Sequence, residues 1–199
     1  MTARAALWIA LLIPSTLCAQ GILPPEKETK TDAPPKPAYL LIADTVPKSL
    51  TVKDADGKDR PLLSYKTAND ILVVGFYSPR CAANQQVWAP LRRLYEKYKD
   101  WHVAFVGVSV VSDETLKELA DAMTAAGLAY PAVRDDQQRA ARKLHALVTP
   151  ELVVIDEWGA LRFRGSDLNE ARKAIETVVS HIDSVTNPEP SPRSGCAIP

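Results

Sequence analysis

No stretch of about 18 apolar residues occurs in the 199-residue chain, so no segment reads as a membrane-spanning helix. Neither sign of charge is in excess. Twenty-four Lys plus Arg balance twenty-four Asp plus Glu, which leaves no basic field to attract a nucleic acid. Cysteine is scarce, with three residues at 18, 81 and 196, and no internal repeat is visible. What remains is ordinary for a globular protein: 46% hydrophobic and 24% charged residues, and a length that fits one domain with accessory segments.

The two ends differ from the middle. A short start with Arg4 leads into the apolar run Ala5–Ile13, followed by small residues, so 1–20 is expected to be a secretory signal peptide. Lipidation at Cys18 is the second reading, because Leu17 is large for that signal; a membrane association is expected only in that case. Residues 21–38 combine Pro24, Pro25, Pro34, Pro35 and Pro37 with charges and no aromatic residue, the composition of a linker. The folded domain is placed at 39–185. Residues 186–199, with Pro188, Pro190 and Pro192, are expected to be a flexible tail carrying Cys196. The expected location is therefore periplasmic or secreted, where disulfides are permitted. Cys81 and Cys196 could form one bridge over more than a hundred residues, worth about 4–5 kcal/mol by chain entropy.

Ile71–Phe76 is apolar and β-branched like a buried strand, and Ser78-Pro79 ends it. A helical pattern follows at 82–99 with Pro90 inside. Cys81 thus falls at a helix N-terminus, where free N–H groups and the helix dipole favour a thiolate; Arg80 would act in the same direction. The alternative is a small buried hydrophobe. Further along, Ser49–Val52 and Pro61–Leu63 read as hairpin arms around the turn at Asp54–Gly57. Residues 101–111 read as a strand, and Ser112 as the cap of a helix ending before Gly127. Tyr130–Val133 fits an edge strand and 137–145 a helix. Leu152–Ile155 and Ala160–Phe163 fit a hairpin, and Asp167 with Glu170 a capping box opening the last helix.

This order, βαβ followed by ββα, resembles the thioredoxin-like arrangement: an α/β fold with a central mixed β-sheet and helices on both faces. More specifically, residues 49–185 resemble the redoxin domains of the alkyl hydroperoxide reductase/thiol-specific antioxidant family. The resemblance rests on Asp56-Gly57, Ser78-Pro79-Arg80-Cys81, Leu91–Tyr98, Phe105–Val108, Thr149-Pro150-Glu151, Val154–Asp156 and Arg162–Gly165. The ending Ser194-Gly-Cys-Ala-Ile198 resembles the tail of exported bacterial members. It implies thiol redox chemistry, an antioxidant or disulfide-exchange role, and no cofactor and no metal. It also implies a cis Thr149-Pro150 bond beside the reactive sulfur, with Ser78, Arg80, Thr149 and Pro150 forming the substrate edge.

The departures from the family pattern are informative. A thioredoxin carries a second cysteine three residues after the first; here that position is Asn84. A typical peroxiredoxin carries proline and threonine where this chain has Val74 and Ser78. Copper-delivering relatives need two nearby cysteines, and only Cys81 is present. Cys196 could replace the missing partner by resolving an oxidised Cys81; a structural staple or a dimer-forming thiol are the other readings. The expected function is an exported thiol-dependent oxidoreductase acting on a peroxide or a protein thiol/disulfide partner, with Cys81 as nucleophile. The alternative is a non-enzymatic thioredoxin-fold binding module. His145 could approach the site, but a solvated or core role is the stronger reading. His102 and His181 suggest nothing. Arg162 and Arg164 could steer anions or form a solvated face, and Trp88, Trp101 and Trp158 read as packing or turn residues.

Overall fold

Thr51–Lys53 (β1) and Asp59–Pro61 (β2) run antiparallel across a tight turn. Asp54 organises that turn by accepting from the amides of Asp56 and Lys58, each at 2.9 Å. Gly57 supplies the positive φ of +74° that the reversal needs. The returning arm is 59–61 rather than 61–63. Leu62–Tyr65 instead coils into a 3-10 turn, with the Ser64 hydroxyl donating back to the Pro61 carbonyl and Leu62 fully buried. The structure is a computed structural model that describes residues 36–68, 70–180 and 193–198. The expected leader at 1–20, residues 21–35 of the expected linker, and His181 lie outside them.

The remaining elements follow in chain order: Ile71–Tyr77 (β3), Ala82–Tyr98 (α1), Val103–Ser109 (β4), Leu116–Ala125 (α2), Ala132–Arg134 (β5), Arg139–Leu144 (α3), Val148–Thr149 (β6), Glu151–Ile155 (β7), Leu161–Gly165 (β8), Leu168–Val179 (α4) and Cys196–Ala197 (β9). Seven strands form one mixed sheet in the order β2-β1-β5-β4-β3-β7-β8, while β6 and β9 pair separately. β3 sits near the centre, parallel to β4 and antiparallel to β7, and is buried along its whole length. Side chains alternate between the two faces of a strand. Ile71, Val73 and Tyr77 therefore join Leu91, Leu94, Leu119 and Ile175 from α1, α2 and α4. Leu72, Val74 and Phe76 join Leu62 and the Ala140, Ala141 and Leu144 face of α3. Two apolar layers clamp the strand that leads to Cys81.

Several boundaries differ from the sequence reading for local reasons. The strand expected from 101 begins at Val103, because Trp101 is 60% exposed and His102 turns the chain at φ +58°. Thr115, not Ser112, caps α2: its hydroxyl accepts from the Glu118 amide and Glu118 returns to the Thr115 amide. The segment around Tyr130–Val133 is not at an edge, since β5 lies between β1 and β4. Arg162 and Arg164 do not make a solvated face. Arg162 donates to Asp156 at 2.6 Å, and Arg164 is buried, donating to the Leu40 and Leu144 carbonyls. Trp88 packs against Tyr77, whereas Trp158 is exposed at the β7–β8 turn. Asp167 does cap α4, accepting from the Asn169 and Glu170 amides.

Candidate active site around Cys81

Cys81 is the N-cap of α1, in extended backbone conformation, and its side chain is 5% exposed. The turn before it is short: the Cys81 amide donates to the Ser78 carbonyl at 3.1 Å, and the Asn84 amide donates to the Cys81 carbonyl at 3.0 Å. Cys81 thus stands at the positive end of the α1 dipole. The Cys81 sulfur lies 3.2 Å from the Thr149 carbonyl oxygen, and Thr149-Pro150 is a cis peptide. The Thr149 carbonyl thus stands directly beside the sulfur, with the cis proline next in the chain.

Cys196 is joined to Cys81 by a disulfide, with the Cα atoms 6.0 Å apart across 115 residues of sequence. The part of the tail that carries it, expected from its prolines to be loose, is laid down as a strand at residues 196–197. Val148 pairs with Ala197 and Thr149 with Cys196 in an antiparallel ladder. Gly195 is required by the closeness of that approach, because a Cβ there would stand 2.4 Å from the Thr149 carbonyl oxygen.

Ser78 and Arg80 point to other partners than the sulfur. The Ser78 hydroxyl donates to Glu114, whose Oε1 also accepts from the Arg80 amide at 3.2 Å. The Arg80 guanidinium donates to Asp113 at 3.0 Å and to Glu118 at 2.9 Å. The capping bond from the Thr115 amide, then the Arg80 bond and the Thr115 hydroxyl, hold the Glu118 carboxyl down to about 2. Arg80 is thereby committed to carboxylates. His145 stacks on Tyr39 at 3.8 Å, and burial, then the Arg164 and Arg193 charges, lower its pKa; its carbonyl, not its ring, meets the tail.

Three residues of this region take places that the sequence did not assign them. Glu114 is buried against the Ser78–Arg80 turn. Asn84 is fully buried with neither amide atom hydrogen-bonded, in the first turn of α1. Glu151 opens β7, immediately after the cis proline, with its carboxylate fully buried. The one available signal was for Glu151: a carboxylate heading an otherwise apolar strand. Among the described residues, no group of three or more His, Cys, Asp or Glu is placed to hold a metal ion.

The mixed sheet, the helices on both of its faces and the cysteine at the strand-to-helix junction define a thioredoxin-like fold. The AhpC/TSA family profile matches residues 42–164, more than half of the chain, and the chain belongs to that family. No curated protein matches it significantly. Among solved structures, a hypothetical protein of Sinorhizobium meliloti shares 22% identity at a TM-score of 0.68, covering 80% of this chain and 94% of that one. The thioredoxin domain of a thiol-disulfide oxidoreductase from Bacteroides vulgatus shares 19% identity at 0.58, covering 71% and 99%. A secreted disulfide oxidoreductase of Mycobacterium tuberculosis shares 13% identity at 0.52, covering 64% and 95%. At these identities the likeness is one of fold.

Proposed function

We propose that this chain is an exported thiol-dependent oxidoreductase in which Cys81 is the nucleophile and Cys196 the resolving thiol. In the reduced protein, the Cys81 thiolate attacks one sulfur of a partner disulfide and the other partner sulfur leaves as a thiolate. Cys196 then attacks the Cys81 sulfur, closing the Cys81–Cys196 bond and releasing the second partner thiolate. With a peroxide, the attack cleaves the O–O bond, leaves a sulfenic acid on Cys81, and Cys196 closes the same disulfide with loss of water. Either cycle needs an external thiol donor to return two electrons.

The observation that carries this reading is the bridge itself. A distant cysteine is seated against a helix N-cap cysteine, on the backbone edge next to a cis proline. Val74 in place of a proline argues for the disulfide over the peroxide as substrate, and Asn84 makes the tail the source of the second thiol. Export, with 1–20 as the leader, is part of the proposal; it would place the disulfide in an oxidising compartment. The test is covalent trapping. Reduced Cys196→Ser protein given a protein disulfide should accumulate a mixed disulfide at Cys81, seen by mass spectrometry, and Cys81→Ser should not. No adduct at Cys81 with either disulfide or peroxide would remove the nucleophile role. The second reading, a non-enzymatic binding module, is favoured by one fact: the tail already fills the edge that a substrate would need.

A further inference from the structure

The segment bearing Cys196 is held by more than its sulfur. On the C-terminal side, the Ile198 amide donates to the Leu147 carbonyl at 3.0 Å, and Ile198 packs against the apolar layer on the α3 side. On the N-terminal side, three residues before the cysteine, Arg193 reaches inward. Its guanidinium donates to the His145 carbonyl at 3.0 Å and lies 3.5 Å from Glu151 Oε1. These two side chains are 12% and 0% exposed. Glu151 Oε2 accepts from the Leu147 and Val148 amides, whereas Oε1 is buried with no hydrogen bond. Arg164, nearby, is committed to the Leu40 and Leu144 carbonyls. The edge thus presents a row of subsites: a buried carboxylate for a cation, a position where only a bare backbone fits, the sulfur, and an apolar seat.

Cys196 occupies the place any other sulfur must take to bond Cys81, so the tail has to leave before a partner reacts. Arg193 and Arg164 both favour the charged form of Glu151, and a buried carboxylate that loses one of its two cations is destabilised. An incoming chain that supplies a cation at the same offset restores what the tail removed. Resting on the exchange chemistry above, we propose that Glu151 is a specificity-determining residue. The groove takes an extended partner segment with an arginine three residues before a disulfide-bonded cysteine, in the place now held by residues 193–198. Arginine fits better than lysine because the guanidinium serves a carbonyl and a carboxylate together. The Cys81 thiolate attacks the sulfur of that cysteine, the partner's S–S bond breaks, and its other sulfur leaves as a thiolate. When Cys196 attacks Cys81, the partner cysteine leaves as a thiolate and Arg193 regains Glu151. The partner gains two electrons and this chain loses two. Closing the bridge and expelling the product are then a single event.

The test uses the full chain with Cys18→Ser and Cys196→Ser, reduced. The probe is the blocked hexapeptide Arg-Ser-Gly-Cys-Ala-Ile, its cysteine capped as the disulfide of 5-thio-2-nitrobenzoate. Attack by Cys81 releases the coloured thiolate, and peptides with Arg, Lys, Ala or Glu at the first position are compared. The arginine peptide should react about tenfold faster than the alanine peptide, a ratio in the range of a hydrogen bond to a charged group. Lysine should fall between them and glutamate should be slowest. In Glu151→Gln the arginine-to-alanine ratio should fall towards one, and Arg193→Ala should speed the arginine peptide by removing the competing tail. Equal rates for arginine and alanine peptides with Glu151 in place overturn the proposal, and that comparison needs no variant at 151 to fold. A wild-type disulfide found between two chains, with equal peptide rates, would make a second copy the occupant. If every probe, including the unattached reagent, fails to label Cys81, the nucleophile reading falls and takes this one with it.

Discussion

Opening the Cys81–Cys196 bridge should weaken the fold by an amount set by loop length. The bridge spans 115 residues. For a loop of that size the chain-entropy relation gives about 16 cal/mol/K, or about 4.8 kcal/mol at 25 °C. The figure counts chain entropy alone and leaves out the contacts of the tail itself, the β6–β9 ladder and the Arg193 pair. The perturbation is reduction of the wild type, or Cys196→Ser, and the assay is urea unfolding with and without reductant. With an m-value of about 2 kcal/mol/M, the midpoint should move down by about 2.4 M. In a thermal scan, at roughly 2–4 °C per kcal/mol for a chain of this size, the loss is about 10–19 °C. Cys196→Ser should match the reduced wild type and ignore reductant. A shift below about 0.5 M would mean that the unfolded chain is not cross-linked between these two positions.

Other expectations follow from individual contacts. Gly195→Ala places a methyl against the Thr149 carbonyl and should displace β9; the fraction of protein bridged at a fixed ratio of reduced to oxidised glutathione should fall several-fold. Asn84→Leu removes two buried, unbonded amide atoms and should raise unfolding free energy by about 1–2 kcal/mol, read from urea midpoints. Leu91→Ala, at a fully buried position between α1 and β3, should cost about 2–5 kcal/mol in the same assay. Hydrogen bonds from Lys97 and Tyr98, with the Arg172 pair, hold the Glu176 carboxyl down to about 2. A depressed carboxyl stabilises the native state above its unfolded pKa and stops doing so as pH falls through the native value. The stability gap between wild type and Glu176→Gln should therefore be on the order of 1 kcal/mol at pH 6, the site being well exposed, and close between pH 4.5 and 2.

The central strand and the helix after Cys81 were legible because their signals are local: a β-branched run, a proline stop, and apolar spacing down one side of α1. The cis Thr149-Pro150 edge was legible through family resemblance. What escaped was decided by partners distant in sequence. Ser112 looked like a cap, but Glu118 locks onto Thr115 three residues later, and Glu114 turns inward to Ser78. Arg80 looked like a neighbour of the sulfur, yet Asp113 and Glu118 claim it. A proline-rich ending gives no hint that Cys196 pairs in register with Thr149. The Arg193–Glu151 pair joins positions 42 residues apart, and only the folded sheet brings them together.

The nucleophile role of Cys81 is tested by its alkylation rate against pH in reduced Cys18→Ser/Cys196→Ser protein, where it is the sole cysteine. A helix N-cap thiol that acts as a nucleophile should label fast near neutral pH, with a midpoint well below the ordinary value of about 8.5. Slow labelling at every pH, or a midpoint at or above that value, would contradict a nucleophilic Cys81 and leave it as one half of a structural staple.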